Sequence, residues 1–173
     1  TDNLTVRRRL QLRENLSGKS LMSADYSTMY SVSASGVTIL PVGRLPQTPQ
    51  VGAAQEDLLF TSDACVNLGA QQTLNIVSLS SVQADFQLSL PEGTRGISLS
   101  KTSGTTPAQV VVTIDPAAFQ STTGTTTVEL TITSSNAVNL PPAVRLLINT
   151  RDFNQRGQIF NIPLSKIDVR RMP

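Results

Sequence analysis

The chain has 173 residues, with 14 basic and 12 acidic side chains and a formal net charge of +2. A charge this close to balance gives no bulk electrostatic reason to expect a nucleic-acid partner. Aromatic residues make up only 4% and Trp is absent, so a folded core must be built from Val, Leu and Ile. The sequence contains no run of about 18 apolar residues, and we therefore predict no membrane span.

The lack of His excludes the nucleophilic systems and zinc sites that need imidazole. Cys65 is the only cysteine and cannot form an internal disulfide; we interpret it as a small buried hydrophobic residue, with a reactive thiol as the alternative. Residues 18–20, Gly-Lys-Ser, end like a phosphate-binding loop. Arg13 stands where that loop needs its first glycine, so we interpret these residues as a turn.

The carboxylates are scattered. Glu56 and Asp57 are the only adjacent pair, and neighbours on a strand point to opposite faces of a sheet. Asp63, Asp85 and Asp115 lie far apart, and we interpret them as solvated turns rather than calcium ligands. We therefore predict no catalytic, cofactor-binding or metal-binding residue, and no enzymatic activity. A carboxylate pair assembled from distant residues stays open as the alternative.

Residues 1–43 predict an antiparallel β-meander. Loose alternation over residues 4–13 indicates a first strand, followed by a turn at 17–19. Residues 29–33 and 37–41 flank a short loop that contains Gly36, which is typical of a hairpin. A meander of three strands is marginal in water, so we expect its apolar residues to be covered by the C-terminal segment around residues 158–163 or by another molecule.

The next stretch, residues 44–55, is predicted to be a stiff linker. Pro41, Pro46, Pro49, Gly43 and Gly52 fall within residues 41–52. Proline holds a chain extended and glycine interrupts regular structure, so we place a domain boundary here.

Residues 56–150 predict an immunoglobulin-like β-sandwich, which makes the fold class all-β with an N-terminal antiparallel meander. Seven short apolar runs recur at regular spacing and are separated by turn residues. They cover residues 58–60, 73–77, 86–90, 97–99, 110–114, 128–132 and 144–148. Asp115 and Pro116 favour a single helical turn, as its cap and first residue. Residues 151–173 are interpreted as an extension or the start of a further strand.

Alternation within these runs predicts one core, since residues two apart on a strand share a face. The predicted core comprises Phe60, Leu74, Ile76, Phe86, Leu88, Leu90, Val110, Val112, Ile114, Val128, Leu130, Ile132, Leu146 and Ile148.

Part of this region resembles a bacterial immunoglobulin-like repeat of the BACON type. The resemblance rests on residues 96–116, where Ser103-Gly104-Thr105-Thr106-Pro107-Ala108 is followed by a Val-rich strand ending in Asp-Pro. A Gly-Thr pair and a further Thr-rich and Val-rich strand follow at residues 124–132. The resemblance covers about residues 56–150 and implies a sandwich with a structural role.

The first 43 residues are similar to one blade of a YVTN-type β-propeller. The similarity rests on the Gly18-Lys19 turn, on Asp25, and on the strands at residues 29–33 and 36–40. Residues 157–169, from Gly157 through Pro163 onward, look like the start of a further propeller strand. Together the two resemblances imply a larger secreted or surface protein in which a sandwich adjoins propeller blades. We interpret this chain, which begins at Thr1 rather than Met, as a processed product or an excised fragment.

Two hypotheses of function follow. The first is a non-catalytic bacterial structural, adhesion or spacer module, extracellular or at the cell surface, whose partners are proteins or neighbouring domains of the parent chain. The second is a self-assembling subunit, because unpaired strand edges are templates for strand addition between chains. We interpret the basic clusters near residues 7–13 and 166–171 as charged strand faces, with a phosphate-binding arm as the alternative, and predict no nucleic-acid partner. A carbohydrate ligand is left open without residues to support it.

Overall fold

The computed structural model describes residues 10–61, 70–119, 122 and 124–150. Within these residues the chain forms twelve β-strands and two short 3-10 helices. The strands are β1 Leu16–Met22, β2 Met29–Ser33, β3 Gly36–Leu40, β4 Val51–Ala53, β5 Asp57–Thr61, β6 Ala70–Ser78, β7 Asp85–Ser89, β8 Ile97–Leu99, β9 Ser103–Thr105, β10 Ala108–Ile114, β11 Gly124–Thr133 and β12 Val144–Thr150. The 3-10 helices are Val42–Gln47 and Pro116–Phe119. Among these residues, none of the helices has the length and apolar character needed to cross a membrane.

The strands form three sheets. The N-terminal sheet has the order β1-β2-β3, the four-stranded sheet β4-β6-β10-β8, and the five-stranded sheet β5-β12-β11-β7-β9. Neighbours pair antiparallel except β5 and β12, which pair in parallel from Asp57 opposite Arg145 to Thr61 opposite Asn149. This parallel pair places β5, the first of these five strands along the chain, beside β12, the last of them along the chain. The predicted fold class, all-β with an immunoglobulin-like sandwich and an N-terminal antiparallel meander, is confirmed.

One hydrophobic core lies between the four-stranded and five-stranded sheets and draws side chains from both. The predicted core residues are buried, apart from Leu90 and Val128, which are half-buried against its rim. The alternation did not indicate the further members Val51, Leu58, Ala84, Phe119, Ala137 and Val144. Most of these lie at the ends of strands or in loops, where a period of two cannot be read over enough residues.

The predicted linker at residues 44–55 is wrong in its conformation. Residues Val42–Gln47 form a 3-10 helix that contains Pro46, and residues Val51–Ala53 form β4. This strand pairs with β6, with Val51 opposite Ser78 and Ala53 opposite Ile76. Val51 is fully buried in the sandwich core, so the sandwich begins before residue 56.

The predicted first strand of the meander is also misplaced. Residues 10–15 are not in a strand, and residues 1–9 lie outside the described residues. β1 instead includes the three residues that we predicted as a turn. Gly18 lies in an irregularity of the pairing between Leu16 and Ser20, and its φ of +119° is a conformation that favours glycine. The hairpin of β2 and β3 is confirmed, with Ser33 opposite Gly36.

The predicted helical turn after β10 is confirmed. The 3-10 helix Pro116–Phe119 follows Asp115, whose Oδ1 accepts a hydrogen bond of 3.0 Å from the Ala117 N–H. This is the capping role that the sequence indicates, because the first N–H groups of a helical turn have no partner within it.

We expect a fragment of residues 49–150 to unfold cooperatively and a fragment of residues 56–150 to be less stable. Loss of β4 removes the buried Val51 and leaves one edge of β6 unpaired. Burial of such a side chain contributes about 1.5–3 kcal/mol, so the free energy of unfolding should fall by at least about that amount. Urea denaturation followed by circular dichroism measures the difference. Equal stabilities would show that β4 is not part of the sandwich.

Candidate functional site

The most organised polar region is the junction, which we define as residues 42–53 together with the sandwich loops at residues 79–81 and 138–140. Ser81 donates from its N–H and its hydroxyl to the carbonyl of Pro46, at 3.0 and 2.8 Å. Val138 donates to the carbonyl of Pro49 at 3.0 Å. A proline has no N–H, so its carbonyl is its only backbone hydrogen-bonding group. At both prolines that group is held by the sandwich.

The side chain of Asn139 holds β4 in place. Its Oδ1 accepts from the Val51 N–H at 3.0 Å, and its Nδ2 donates to the Val51 carbonyl at 2.7 Å. Both residues are buried. Two residues of an antiparallel ladder exchange the same pair of bonds, so the Asn139 amide acts as a one-residue partner strand for β4. The outer edge of the four-stranded sheet is thereby closed at this position.

Further hydrogen bonds tie the N-terminal sheet to the same region. Gln50 is buried, donates from Nε2 to the Leu45 carbonyl at 2.6 Å, and accepts at its own carbonyl from the Leu79 N–H at 3.0 Å. Leu140 donates to the Gln11 carbonyl at 2.9 Å, and the Arg13 guanidinium donates to the Ser134 carbonyl. Within the 3-10 helix Val42–Gln47, Gly43 donates to the carbonyl of Ser27, in the turn between β1 and β2, at 2.8 Å.

A cleft of about 610 Å³ opens beside the junction. Residues 10–11, 50, 52–53, 55–56, 79 and 139–144 line its wall, and none of these described side chains is aromatic. Ligand sites in proteins are lined mainly by hydrophobic and aromatic groups that surround a few convergent polar groups. In this cleft, Gln50 and Asn139 already use their amides to hold the backbone. The Gln55 side chain likewise bonds the backbone of Thr73 and Asn75, and the Glu56 carboxylate also lines the cleft. The amides of this cleft thus serve mainly as structural hydrogen bonds.

The Glu56 and Asp57 pair takes part in structural contacts. Asp57 accepts two hydrogen bonds from the Arg145 guanidinium, at 2.6 Å from Nε and 2.7 Å from Nη2. Hydrogen bonding and the charge of Asp57 raise the pKa of Arg145 above its usual value. The Glu56 carbonyl accepts from the Arg145 N–H at 2.9 Å. These contacts fasten the parallel pairing of β5 and β12.

The other acidic residues singled out in the sequence are not brought together. Asp85 accepts from the Ser135 hydroxyl at 3.0 Å, and Asp115 caps the 3-10 helix after β10. Asp63 and Cys65 lie outside the described residues. Across the part of the chain that the structure describes, no three His, Cys, Asp or Glu side chains could hold a metal ion.

Asp25 organises the turn between β1 and β2. Its Oδ1 accepts from the Ser23 hydroxyl at 2.5 Å and from the Ser27 N–H at 3.2 Å. These bonds, that from the Ser23 hydroxyl first, lower the pKa of Asp25 to about 2. The lowered pKa belongs to a surface turn, and the geometry around it serves the hairpin rather than a reaction.

The sequence matches no family model and no curated protein. Solved structures similar to the chain include a GH5 xyloglucanase from Bacteroides ovatus in complex with a XXXG heptasaccharide, at 20% identity and a TM-score of 0.42. They also include a putative carbohydrate binding protein from Bacteroides ovatus, at 14% identity and a TM-score of 0.47. A third is the D00-D0 domain of Intimin, at 14% identity and a TM-score of 0.34.

The three similarities cover 58%, 60% and 69% of this chain. The chain spans 19% of the xyloglucanase, 37% of the putative carbohydrate binding protein and 62% of the Intimin fragment. At these identities and scores the likenesses carry no argument about function.

We expect Asn139→Ala to lower the free energy of unfolding by about 2–6 kcal/mol, because it leaves the buried Val51 N–H and carbonyl without a partner and each such group costs about 1–3 kcal/mol. Asn136→Ala is the matched control: this exposed side chain in the same loop accepts one backbone bond, from Asp85. Water can replace that bond, so the control should lose less than about 1 kcal/mol. Urea denaturation measures both, and equal losses would contradict the buried role of Asn139.

We expect the Asp25 carboxyl to titrate with a midpoint near 2. A carboxyl whose pKa is lowered on folding stabilises the turn fully at pH values above its unfolded pKa of about 3.8. That contribution is lost as the pH falls from about 4 through 2. Carboxyl chemical shifts measured by NMR follow the titration. Ser23→Ala should raise the midpoint towards the usual value, and an unchanged midpoint would show that Ser23 is not the cause.

Proposed function

We propose that the chain is a non-catalytic structural module in which the sandwich holds the N-terminal sheet in a fixed position. The observation that carries this proposal is the junction. Prolines limit the conformations of the connecting chain, and the sandwich binds the carbonyls of Pro46 and Pro49. A connector built in this way transmits position from one sheet to the other.

The polar chemistry of the described residues supports the same proposal. Asn139, Gln50, Asp115 and the Asp57–Arg145 pair each hold backbone or side chain in a defined geometry. A catalytic site needs polar groups that converge on a point where a reacting atom can sit. Each of the groups named here is instead engaged in a contact within the protein.

We further propose that the module works outside the cell, as part of a larger secreted or surface protein. The resemblance of residues 56–150 to bacterial immunoglobulin-like repeats supports this placement, as does that of residues 1–43 to a propeller blade. The partners in this proposal are neighbouring domains of the same parent chain.

A second candidate function is assembly by strand addition. Among the described residues, no strand pairs with the outer edge of β3. β3 contains neither a charged residue nor a proline. Charges and prolines are the features that block pairing at an edge. In this candidate the edge of β3 pairs with the opposite edge of the sheet, that of β1, in the next copy. Such head-to-tail pairing continues from copy to copy and gives open-ended polymers whose size grows with concentration.

The experiment measures amide residual dipolar couplings of the full chain. In the native protein, couplings from β2 and β3 and from the sandwich should fit one alignment tensor. In the double variant Pro46→Gly, Pro49→Gly, the two regions should need separate tensors, because glycine restores the conformational freedom that proline removes.

Pro91→Gly is the matched control, since Pro91 lies in an exposed turn of the sandwich far from residues 42–53 in the sequence. This variant should keep a single tensor. Two tensors in the native protein would mean that the N-terminal sheet moves freely, and the proposed function would be rejected.

A further inference from the structure

The N-terminal sheet is largely apolar on the side that no other described residue covers. We define its outer face as Leu21, Tyr30, Val32, Val37 and Ile39, which are between 42% and 71% exposed. The opposite side carries the buried Ser31 and Ser33, and the Ser20 and Ser31 hydroxyls are hydrogen-bonded at 2.8 Å. A sheet with one solvated side normally shows the reverse pattern, with polar residues outward.

The inner side of the N-terminal sheet is covered by apolar residues of the same chain. A hollow of about 230 Å³ there is lined by seven residues, all of them apolar: Leu10, Leu12, Leu16, Met29, Leu40, Val42 and Leu45. Leu10 and Leu12 are thus covered at the inner side, and among the described residues the outer face stays open.

The outer face is arranged as two rows across the strands. Leu21 is opposite Tyr30, and Tyr30 is opposite Ile39, so these large side chains form one row. Val32 is opposite Val37 and they form a second, smaller row. The rows lie two residues apart along the strands, which is about 7 Å. One row of the face therefore stands higher than the other.

The composition and area of the outer face are those of an interface. β2 and β3 contain no charged residue, and Lys19 on the edge strand β1 is the only charged residue in the three strands. Charged residues are depleted at the centres of protein interfaces, where aromatic residues are enriched. The exposed fractions correspond to roughly 500 Å² of apolar side chain, within the range of the largest patch on a typical monomer. Two such faces would bury about 1,000 Å², which is the lower limit for a specific interface.

We propose that the outer face of the N-terminal sheet docks against the same face of a second copy of this chain, as a two-fold symmetric dimer. Two sheets that pack face to face lie about 10 Å apart and interdigitate their side chains. We place the two-fold axis midway between the two facing sheets, parallel to the rows and centred between them. The axis then puts the large row of each copy over the small row of the other copy. Large side chains thus meet small ones on both sides, as a well-packed layer requires.

This inference goes beyond the proposed function and does not depend on the junction. It also differs from strand addition in its outcome, because contact through one shared face closes at two copies and leaves no free copy of the same face. A dimer therefore separates it from the open-ended polymer of the second candidate function.

The test is sedimentation velocity of the full chain from micromolar to millimolar concentration. We expect a monomer–dimer equilibrium with no larger species. Ile39→Lys should raise the dimer dissociation constant at least about tenfold, because it places a charge in an apolar contact. Leu59→Lys is the matched control: Leu59 is an exposed apolar residue on β5 of the sandwich, and its variant should dimerise like the native chain.

A second measurement locates the contact. The chain has two Tyr and no Trp, so Tyr26→Phe leaves Tyr30 as the only strongly fluorescent side chain. Its emission should change with concentration along the same isotherm as the sedimentation data. Both charged variants replace exposed residues, and at concentrations low enough to keep the chain monomeric their unfolding curves should match that of the native chain.

Three results would overturn the proposal. The first is a chain that stays monomeric throughout the concentration range. The second is a dimer that Ile39→Lys does not weaken, which would place the contact on another surface. The third is dimerisation that appears only after deletion of residues 151–173, which would make that segment the occupant of the outer face.

Discussion

The contact between Asn139 and Val51 is the constraint on which the arrangement of the two parts depends. A three-residue strand at a sheet edge has few ladder bonds of its own, so β4 needs a partner on its outer side. The Asn139 amide supplies both bonds from a loop that lies 88 residues further along the chain. Because Val51 is also a core residue, this contact fixes the end of the proline-containing segment to the sandwich.

The prolines of that segment then act as attachment points rather than as spacers. Their carbonyls accept bonds from Ser81 and Val138, on separate loops. Pro46 lies within the 3-10 helix Val42–Gln47, and Pro49 follows that helix, so both ends of this short stretch are held on the sandwich. Proline reduces the conformational freedom of the unfolded connector, and the hydrogen bonds choose one of the conformations that remain. The position of the N-terminal sheet follows from both effects.

The N-terminal sheet consequently presents its apolar side to solvent. Its inner side combines the hydroxyl pair of Ser20 and Ser31 with apolar residues such as Met29 and Leu40, which line a hollow beneath the sheet. A three-stranded sheet of this kind contributes little stability by itself. Its stability therefore depends on the junction, on the turn held by Asp25, and on whatever packs against the outer face.

The sequence by itself determined the strands whose pattern is long enough to read. The runs that became β6, β7, β10, β11 and β12 alternate over five residues or more, and their inward members form the core. The hairpin of β2 and β3 and the cap at Asp115 were also predictable, since turn and cap preferences are local. The lack of His and the scattered carboxylates limited the available chemistry in the same direct way.

Only the tertiary structure decided the rest. Residues 51–53, Val-Gly-Ala, carry no pattern of their own and become a strand because β6 and Asn139 hold them from both sides. The Gly18 irregularity turned a predicted turn into part of β1. The direction in which Tyr30 and Val32 point was equally undetermined, since alternation shows that two faces differ but not which one meets the protein. That choice is made by contacts distant in sequence, and the junction and the outer face both result from it.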